Sequence, residues 1–345
     1  MLENKKIIYP DIEKQTLEMK LKGESLLIKR KNIIGYDCGF PILNKVLDGF
    51  QDELYVLAGA SSMGKSTFVS QLVLQLVINN EEDNLNILFF SKDHKSIDIT
   101  AKMVAQISDI PIEYVRKPFP VNDDMDKARI RGIERLIELK DRLFIIDDES
   151  SDLELMEDMI KDIKDKGENV FIVVDPLIKL LSKENRNSDF FYLLRNTMLS
   201  LKDISLKYNC GILIVFGLSK NAELRPPERK DLLEIPEILS LPHAVLTLYC
   251  DYIINGDTPF LEWDWGGRDI IVPISEVSVI KNKMNAFLGK LFFKYYASLA
   301  LFKECVEAEN ENYRDMLTNI DFHREKKELK KRQLLEKQLL NSDKT

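Results

Sequence analysis

Gly59, Gly64, Lys65 and Ser66 stand in the order Gly-x-x-x-x-Gly-Lys-Ser, the spacing of a loop that wraps a polyphosphate. The chemistry explains the residue types. Glycines let the backbone turn tightly around anionic oxygens, so that successive N–H groups point at them. The lysine of such a loop bridges the outer phosphates, and the hydroxyl after it ligates Mg2+. On this reading Gly59, Ala60, Ser61, Ser62, Met63, Gly64, Lys65, Ser66 and Thr67 hold a nucleoside triphosphate. ATP and Mg2+ are the expected cofactors, with Lys65 on the phosphates and Ser66 on the metal.

Two more groups would complete the chemistry. A carboxylate at the end of a neighbouring strand must hold the metal and its water shell. Asp175 closes the apolar run NVFIVVD, residues 169–175, and fits that role as a second metal ligand. Hydrolysis also needs a carboxylate that orients or activates water. The run NILFFS leads into Lys92, Asp93 and His94. Asp93 would then lie at the carboxyl edge of a sheet, where ligands gather in open α/β folds. It is the candidate for that role, with His94 as a second.

These groups need a scaffold. The runs ELYVLAG, NILFFS, RLFIID, NVFIVVD and GILIVFG alternate with amphipathic helical stretches. Short strands that are apolar on both faces and alternate with helices predict a mostly parallel sheet covered on both sides. After residue 240 the rhythm changes. AVLTLYCDYII, SEVSVIKN and GKLFFKYY follow one another, with WDWGGRD between the first two, which predicts an antiparallel extension of the same sheet. The expected fold is α/β, a central sheet of this mixed kind with a phosphate loop after its first strand.

The flanks read differently. Residues 1–31 are polar, with Ile12, Leu17, Met19, Leu21 and residues 26–28 at roughly helical intervals, which predicts an arm whose helix docks on something. Residues 32–302 form the nucleotide-binding domain, and residues 303–345 a charged helical tail. In the tail Leu329, Leu334, Leu335, Leu339 and Leu340 would pack on the body or a partner.

Composition sets bounds. The chain has 345 residues, 45% of them hydrophobic, enough to bury one large core. A formal net charge of −8 argues against a broad basic face for nucleic acid, though it leaves room for a local basic channel. Cys38, Cys210, Cys250 and Cys305 are far apart and there are three histidines, so reduced, buried thiols are expected in place of a zinc site. The sequence has no run of about 18 apolar residues and a charged start, which predicts no membrane span, no signal peptide and a cytoplasmic protein.

From about residue 32 to residue 302 the chain resembles the RecA-like ATPase domain of DnaB-type replicative DNA helicases. Residues 35–68 (GYDCGFPILNKVLDGFQDELYVLAGASSMGKSTF) look like the segment that leads into that family's phosphate loop with its Ser-Met-Gly-Lys core. Residues 86–111 are similar to its second strand and helix, ending in Ile-Pro. Residues 142–181 are similar to its Asp-Asp turn, helix and metal-binding strand, and residues 205–229 to its next helix and strand, down to an Arg-Pro pair.

The resemblance implies a RecA-like ATPase in a ring of identical subunits, hexameric in the family, that moves along single-stranded DNA in replication. The family's primase-contacting N-terminal domain has no counterpart, and residues 1–31 would match its linker, whose helix packs on the neighbouring subunit. The resemblance also assigns roles. Lys281 and Lys283 match basic residues that act on the neighbour's nucleotide. Residues 179–186, with Lys183 and Arg186, and residues 220–230, with Lys220, Arg225 and Arg229, match DNA-facing loops. These loops are basic with few aromatics, so they would track the backbone through charge.

Three positions depart from the family pattern. Asp93 replaces a glutamate, Gly217 replaces a glutamine that senses the γ-phosphate, and the trans-acting motif carries Lys283 where the family has arginine. Lysine lacks the bidentate fork of an arginine finger. The departures fit a second reading, a nucleotide-holding regulatory or assembly module derived from the family that unwinds weakly or not at all.

Overall fold

Side chains buried on both faces of the central strands build the frame of this protein. The computed structural model describes residues 12–29, 32–118, 123–148, 150–180, 190–218, 225–233, 236–250, 260–264, 269–307, 309 and 311. The helices are α1 (Ile12–Lys29), α2 (Pro41–Leu47), α3 (Lys65–Asn79), α4 (Ser96–Ser108), α5 (Ile112–Arg116), α6 (Asp123–Ile137), α7 (Leu153–Asp165), α8 (Phe190–Tyr208) and α9 (Pro236–Ser240). The strands are β1 (Leu54–Gly59), β2 (Leu85–Ser91), β3 (Leu143–Ile146), β4 (Asn169–Asp175), β5 (Gly211–Gly217), β6 (Ala244–Tyr249), β7 (Phe260–Asp264), β8 (Asp269–Asn282), β9 (Gly289–Tyr296) and β10 (Leu301–Glu304).

The strands form one sheet in the order β10-β9-β8-β6-β1-β5-β4-β2-β3, with β7 paired to β8. Side chains on a strand point alternately to opposite faces. On one face Tyr55, Leu57, Phe89, Val173 and Val215 pack with Phe68, Leu72 and Leu76 of α3. On the other, Leu54, Val56, Leu88, Ile172 and Ile214 pack with Ile160 of α7 and with Leu194, Met198 and Leu201 of α8. This two-sided cover is why these strands read as continuous apolar runs.

One expectation needs correction. The run that begins AVLTLY does not open the antiparallel extension. Its strand β6 pairs in parallel with β1, Tyr55 opposite Ala244, and the direction reverses only at β8. An apolar strand buried on both faces belongs inside the parallel array, whatever the length of the connection that follows it. Trp263 and Asp264 end β7, and Asp269, opposite Asp264, starts β8.

The extension braces the helix that follows the phosphate loop. Phe68 of α3 stacks on Phe40 with ring centroids 5.3 Å apart and meets the rings of Phe293 and Phe302 edge-on at 5.4 and 5.3 Å. Gln71 clamps the backbone of Phe302, donating to its carbonyl and accepting from its N–H, both at 2.8 Å. The Glu304 carboxylate accepts from the N–H groups of Ile42 and Leu43 at 2.7 and 2.8 Å. It thereby caps α2 and ties the last strand to the first helix of the body.

All four cysteines are free and buried. Among the described residues, no helix is long and apolar enough to cross a membrane. Ile12, Leu17, Met19 and Leu21 of α1 are exposed. The leucines named for the tail lie outside the described residues.

Candidate nucleotide-binding site

The two glycines of the phosphate loop are required for different reasons. A Cβ at Gly59 would come within 2.6 Å of the Leu248 carbonyl oxygen, so β6 passes too close for any side chain. Gly64 has φ 85°, a left-handed conformation that glycine adopts without cost. It precedes α3, whose N-terminus has no side-chain cap and no acidic residue in its first turn. The N–H groups and the positive end of the helix dipole therefore face the loop uncompensated, as an anion site requires.

Lys65 opens α3 and reaches back across the loop, its Nζ donating to the Ala60 carbonyl at 2.6 Å. Burial pushes its amine below the usual lysine range, and the charges of Asp175 and Asp93 pull it back up. The Tyr295 hydroxyl bonds Thr67 in the same turn, and its ring stacks on Phe302 at 4.4 Å.

Asp175 lies at the carboxyl end of β4, in register with Ser91 at the end of β2, and is only 3% exposed. Burial pushes its carboxyl above the usual range, against a hydrogen bond from Ser66 and the charges of His94, Lys65 and Lys102. Its Oδ2 is buried with no hydrogen-bond partner among the described residues. An unpaired buried carboxylate oxygen is costly. Together with the Ser66 hydroxyl it makes the hard oxygen donor set that suits Mg2+.

Asp93 sits in the turn after β2, half exposed, its Oδ1 3.5 Å from Lys179 Nζ. It follows Ser91, which is in register with Asp175, and its charge acts on Lys65. The His94 carbonyl accepts from the Ser91 hydroxyl at 2.7 Å. Lys92, between them, ties the turn to the loop before α7 through the carbonyls of Asp148 and Ser151 at 2.8 and 2.6 Å. Its own N–H donates to the Asp175 carbonyl at 2.8 Å.

Lys102 escaped the sequence reading. It lies on α4, where burial lowers its amine and Asp175 raises it, so it is a further cation acting on the Asp175 carboxylate. A lysine inside an amphipathic helix reads as solvent-facing, and no sequence signal marks this one.

Gly217 ends β5 opposite Gly59, and a Cβ built on it meets nothing within 4 Å. The glutamine that the family pattern places here would therefore fit without displacing a neighbour. In Gly217→Gln we expect folding to be unchanged and any stimulation of ATP turnover by single-stranded DNA to rise severalfold. Turnover assayed with and without an oligonucleotide checks this, and an unchanged ratio would show that the position does not limit coupling.

Lys281 and Lys283 are at the far edge of the sheet. Lys281 pairs with Val245 at the start of β6, and the Lys283 N–H donates to the His243 carbonyl, whose own N–H bonds Leu54. Through β6, Lys281 is level with Val56 and Lys283 with the amino end of β1, roughly 10 and 16 Å along the strand from Gly59 at about 3.3 Å per residue. Neither can serve the loop of its own chain. Lys281 Nζ donates to the carbonyls of Leu239 and Ser240 at the end of α9, at 2.6 and 2.8 Å. Burial and the charges of Lys283, Arg229 and Lys202 lower its amine to about 8. Lys283 is exposed.

Lys183, Arg186 and Lys220, expected to face DNA, lie outside the described residues. The Arg225 guanidinium is engaged by both oxygens of Asp231, at 2.7 and 2.9 Å, a bidentate pair that leaves it little to offer a phosphate. Arg229 is exposed.

Fold and site together define a RecA-like P-loop nucleotide-binding protein. The structure superposes on a solved ATPase domain with a TM-score of 0.74 and 16% identity, covering 87% of this chain and 100% of that one. It superposes on a second, described as a DnaB-like replicative helicase and its interactions with primase, with a TM-score of 0.70 and 16% identity, covering 86% and 67%. The family model described as DnaB-like helicase C terminal domain matches residues 35–304, and the chain belongs to that family. Relatives include a probable replicative DNA helicase of Trieres chinensis, 25% identical over 83% of this chain and 60% of its own length. The replicative DNA helicase DnaB of Rickettsia prowazekii is 26% identical over 79% and 58%. The chain thus spans less than two thirds of these relatives' length.

Proposed function

We propose that this protein is a ring-forming ATPase of the DnaB type that binds Mg2+ and ATP and moves on single-stranded DNA in replication. One observation supports it above the rest: a buried carboxylate oxygen of Asp175 without a partner among the described residues, beside the Ser66 hydroxyl and under an anion-ready helix N-terminus. Such a site is incomplete until a cation and phosphates fill it.

In the mechanism we infer, Lys65 leaves the Ala60 carbonyl for the outer phosphates. Ser66 and Asp175 would hold Mg2+, which would supply charge neutralisation of the phosphates when bound. Lys102 adds positive charge behind them, and Asp93 orients the attacking water. Lys281 and Lys283, too far from their own loop, would act on the nucleotide of the neighbouring subunit, with α1 docking on that neighbour. Phe190, Phe191 and Tyr192 are exposed at the start of α8, directly after the segment that carries Lys183 and Arg186. They would offer bases a stacking surface that the loop sequence itself lacks.

The experiment combines particle mass with and without ATP and Mg2+ and ATP turnover with and without single-stranded DNA. We expect a nucleotide-dependent ring and DNA-stimulated turnover. A ring whose turnover ignores DNA would favour the second reading, a nucleotide-set assembly module, which Gly217 and the engagement of Lys281 by α9 support.

A further inference from the structure

The pairing of Asp93 with Lys179 joins two parts of the molecule that the proposed function keeps separate. Asp93 lies two residues past the end of β2, where Ser91 is in register with Asp175, at the same edge of the sheet as the phosphate loop. Lys179 ends the short turn Leu177–Lys179 that follows Asp175, and it is the first residue of the stretch 179–186 that the family resemblance matches to a DNA-facing loop. Their side chains meet at 3.5 Å, Asp93 48% and Lys179 57% exposed.

The geometry has the parts of an exchangeable contact. Leu177 and Leu180 are buried on either side of Lys179, so its backbone is fixed while its long side chain remains in water. The Lys92 N–H bond to the Asp175 carbonyl holds the bases of the two loops together. An exposed ion pair is weak and screened by salt, and a polyphosphate backbone with its dense charge competes well for a lysine.

We propose that Lys179 is a positioning residue that holds the Asp93 carboxylate away from the attacking water until a phosphate of single-stranded nucleic acid takes the lysine over. The inference rests on the proposed function, because it needs both a water-orienting role for Asp93 and a bound strand. It adds a specific device, an internal carboxylate and an external phosphate that compete for one ammonium group.

The test uses the full chain without nucleotide and a labelled oligothymidylate, with binding followed by fluorescence anisotropy across a salt series. Asp93→Asn frees Lys179, so binding tightens severalfold and the slope of log affinity against log salt steepens by about 0.7, the share of one single-strand phosphate contact. In a Lys179→Ala background the Asp93→Asn effect disappears. Turnover supplies the second arm: Lys179→Ala raises turnover without oligonucleotide severalfold and brings the stimulation ratio toward about 1, whereas Lys179→Arg keeps the ratio.

If the wild-type chain binds the oligothymidylate but Asp93→Asn neither tightens binding nor steepens the slope, the device is overturned and the proposed function stands. The same holds if Lys179→Ala keeps the wild-type ratio. If the wild-type chain does not bind the strand at all, the functional reading and the inference fall together.

Discussion

Lys65→Ala abolishes ATP turnover while leaving the fold intact. Removing one preorganised positive donor from a phosphoryl-transfer site costs on the order of 10²- to 10³-fold in rate. The loss here is at the upper end, because Lys65 is the loop's own cation and opens the helix that carries the anion site. Alanine is a strong helix former; the variant loses the bond to the Ala60 carbonyl and the charge set against Asp175 and Asp93 but also sheds the cost of burying an amine, so the melting temperature without ligand changes little. The ligand effect does change. A folded state that binds nucleotide at about 100 times its Kd gains about 2.7 kcal/mol, and the variant loses most of that shift. Thermal melts with and without ATP and Mg2+, beside a turnover assay, check both halves. Retained turnover would place the chemistry elsewhere.

Asp175→Asn has the second-largest expected effect, and it falls on the loaded protein more than on the empty one. The native carboxylate is buried with one oxygen unpartnered among the described residues, and burial already pushes its carboxyl toward the neutral form. An amide of the same shape removes the desolvation cost of that buried charge but leaves the Lys65 and Lys102 amines without the carboxylate that offsets their burial, so the two effects oppose and the empty protein changes little in stability. The loaded protein loses a hard anionic metal ligand. Turnover falls on the order of 10²-fold by the loss of a charge-stabilising group, and the thermal shift produced by Mg2+ with nucleotide disappears. A Mg2+-dependent shift of unchanged size in Asp175→Asn would remove Asp175 from the metal site.

How much of the protein is legible in its sequence depends on how local each feature is. The phosphate loop is legible because its chemistry is contained in consecutive residues. Gly64 must take a left-handed φ, and Lys65 and Ser66 must follow at once. Asp175 is legible because an apolar strand announces its own end. The parallel core is legible because strands buried on both faces carry no polar alternation.

The parallel pairing of β6 is not legible, since its run is as apolar as the others and direction depends on the connection beside it. Lys102 carries no local signal, and Lys179 reads only as the start of a basic loop. Arg225 reads as a phosphate ligand, yet Asp231 already fills its guanidinium.

The sequence by itself determined that a phosphate loop follows the first strand, that a carboxylate closes another strand of the same sheet, and that this sheet is buried on both sides. These follow from backbone conformation and from hydrophobic patterning, which act over a few residues. Only the tertiary structure decided which charges meet: Lys102 against Asp175, Lys179 against Asp93, Lys281 against the end of α9. A charged side chain on a surface helix or turn has the same local pattern whether it faces water or a carboxylate many residues away. Its partner is chosen when strands far apart in the chain align in the sheet and bring their loops to one edge.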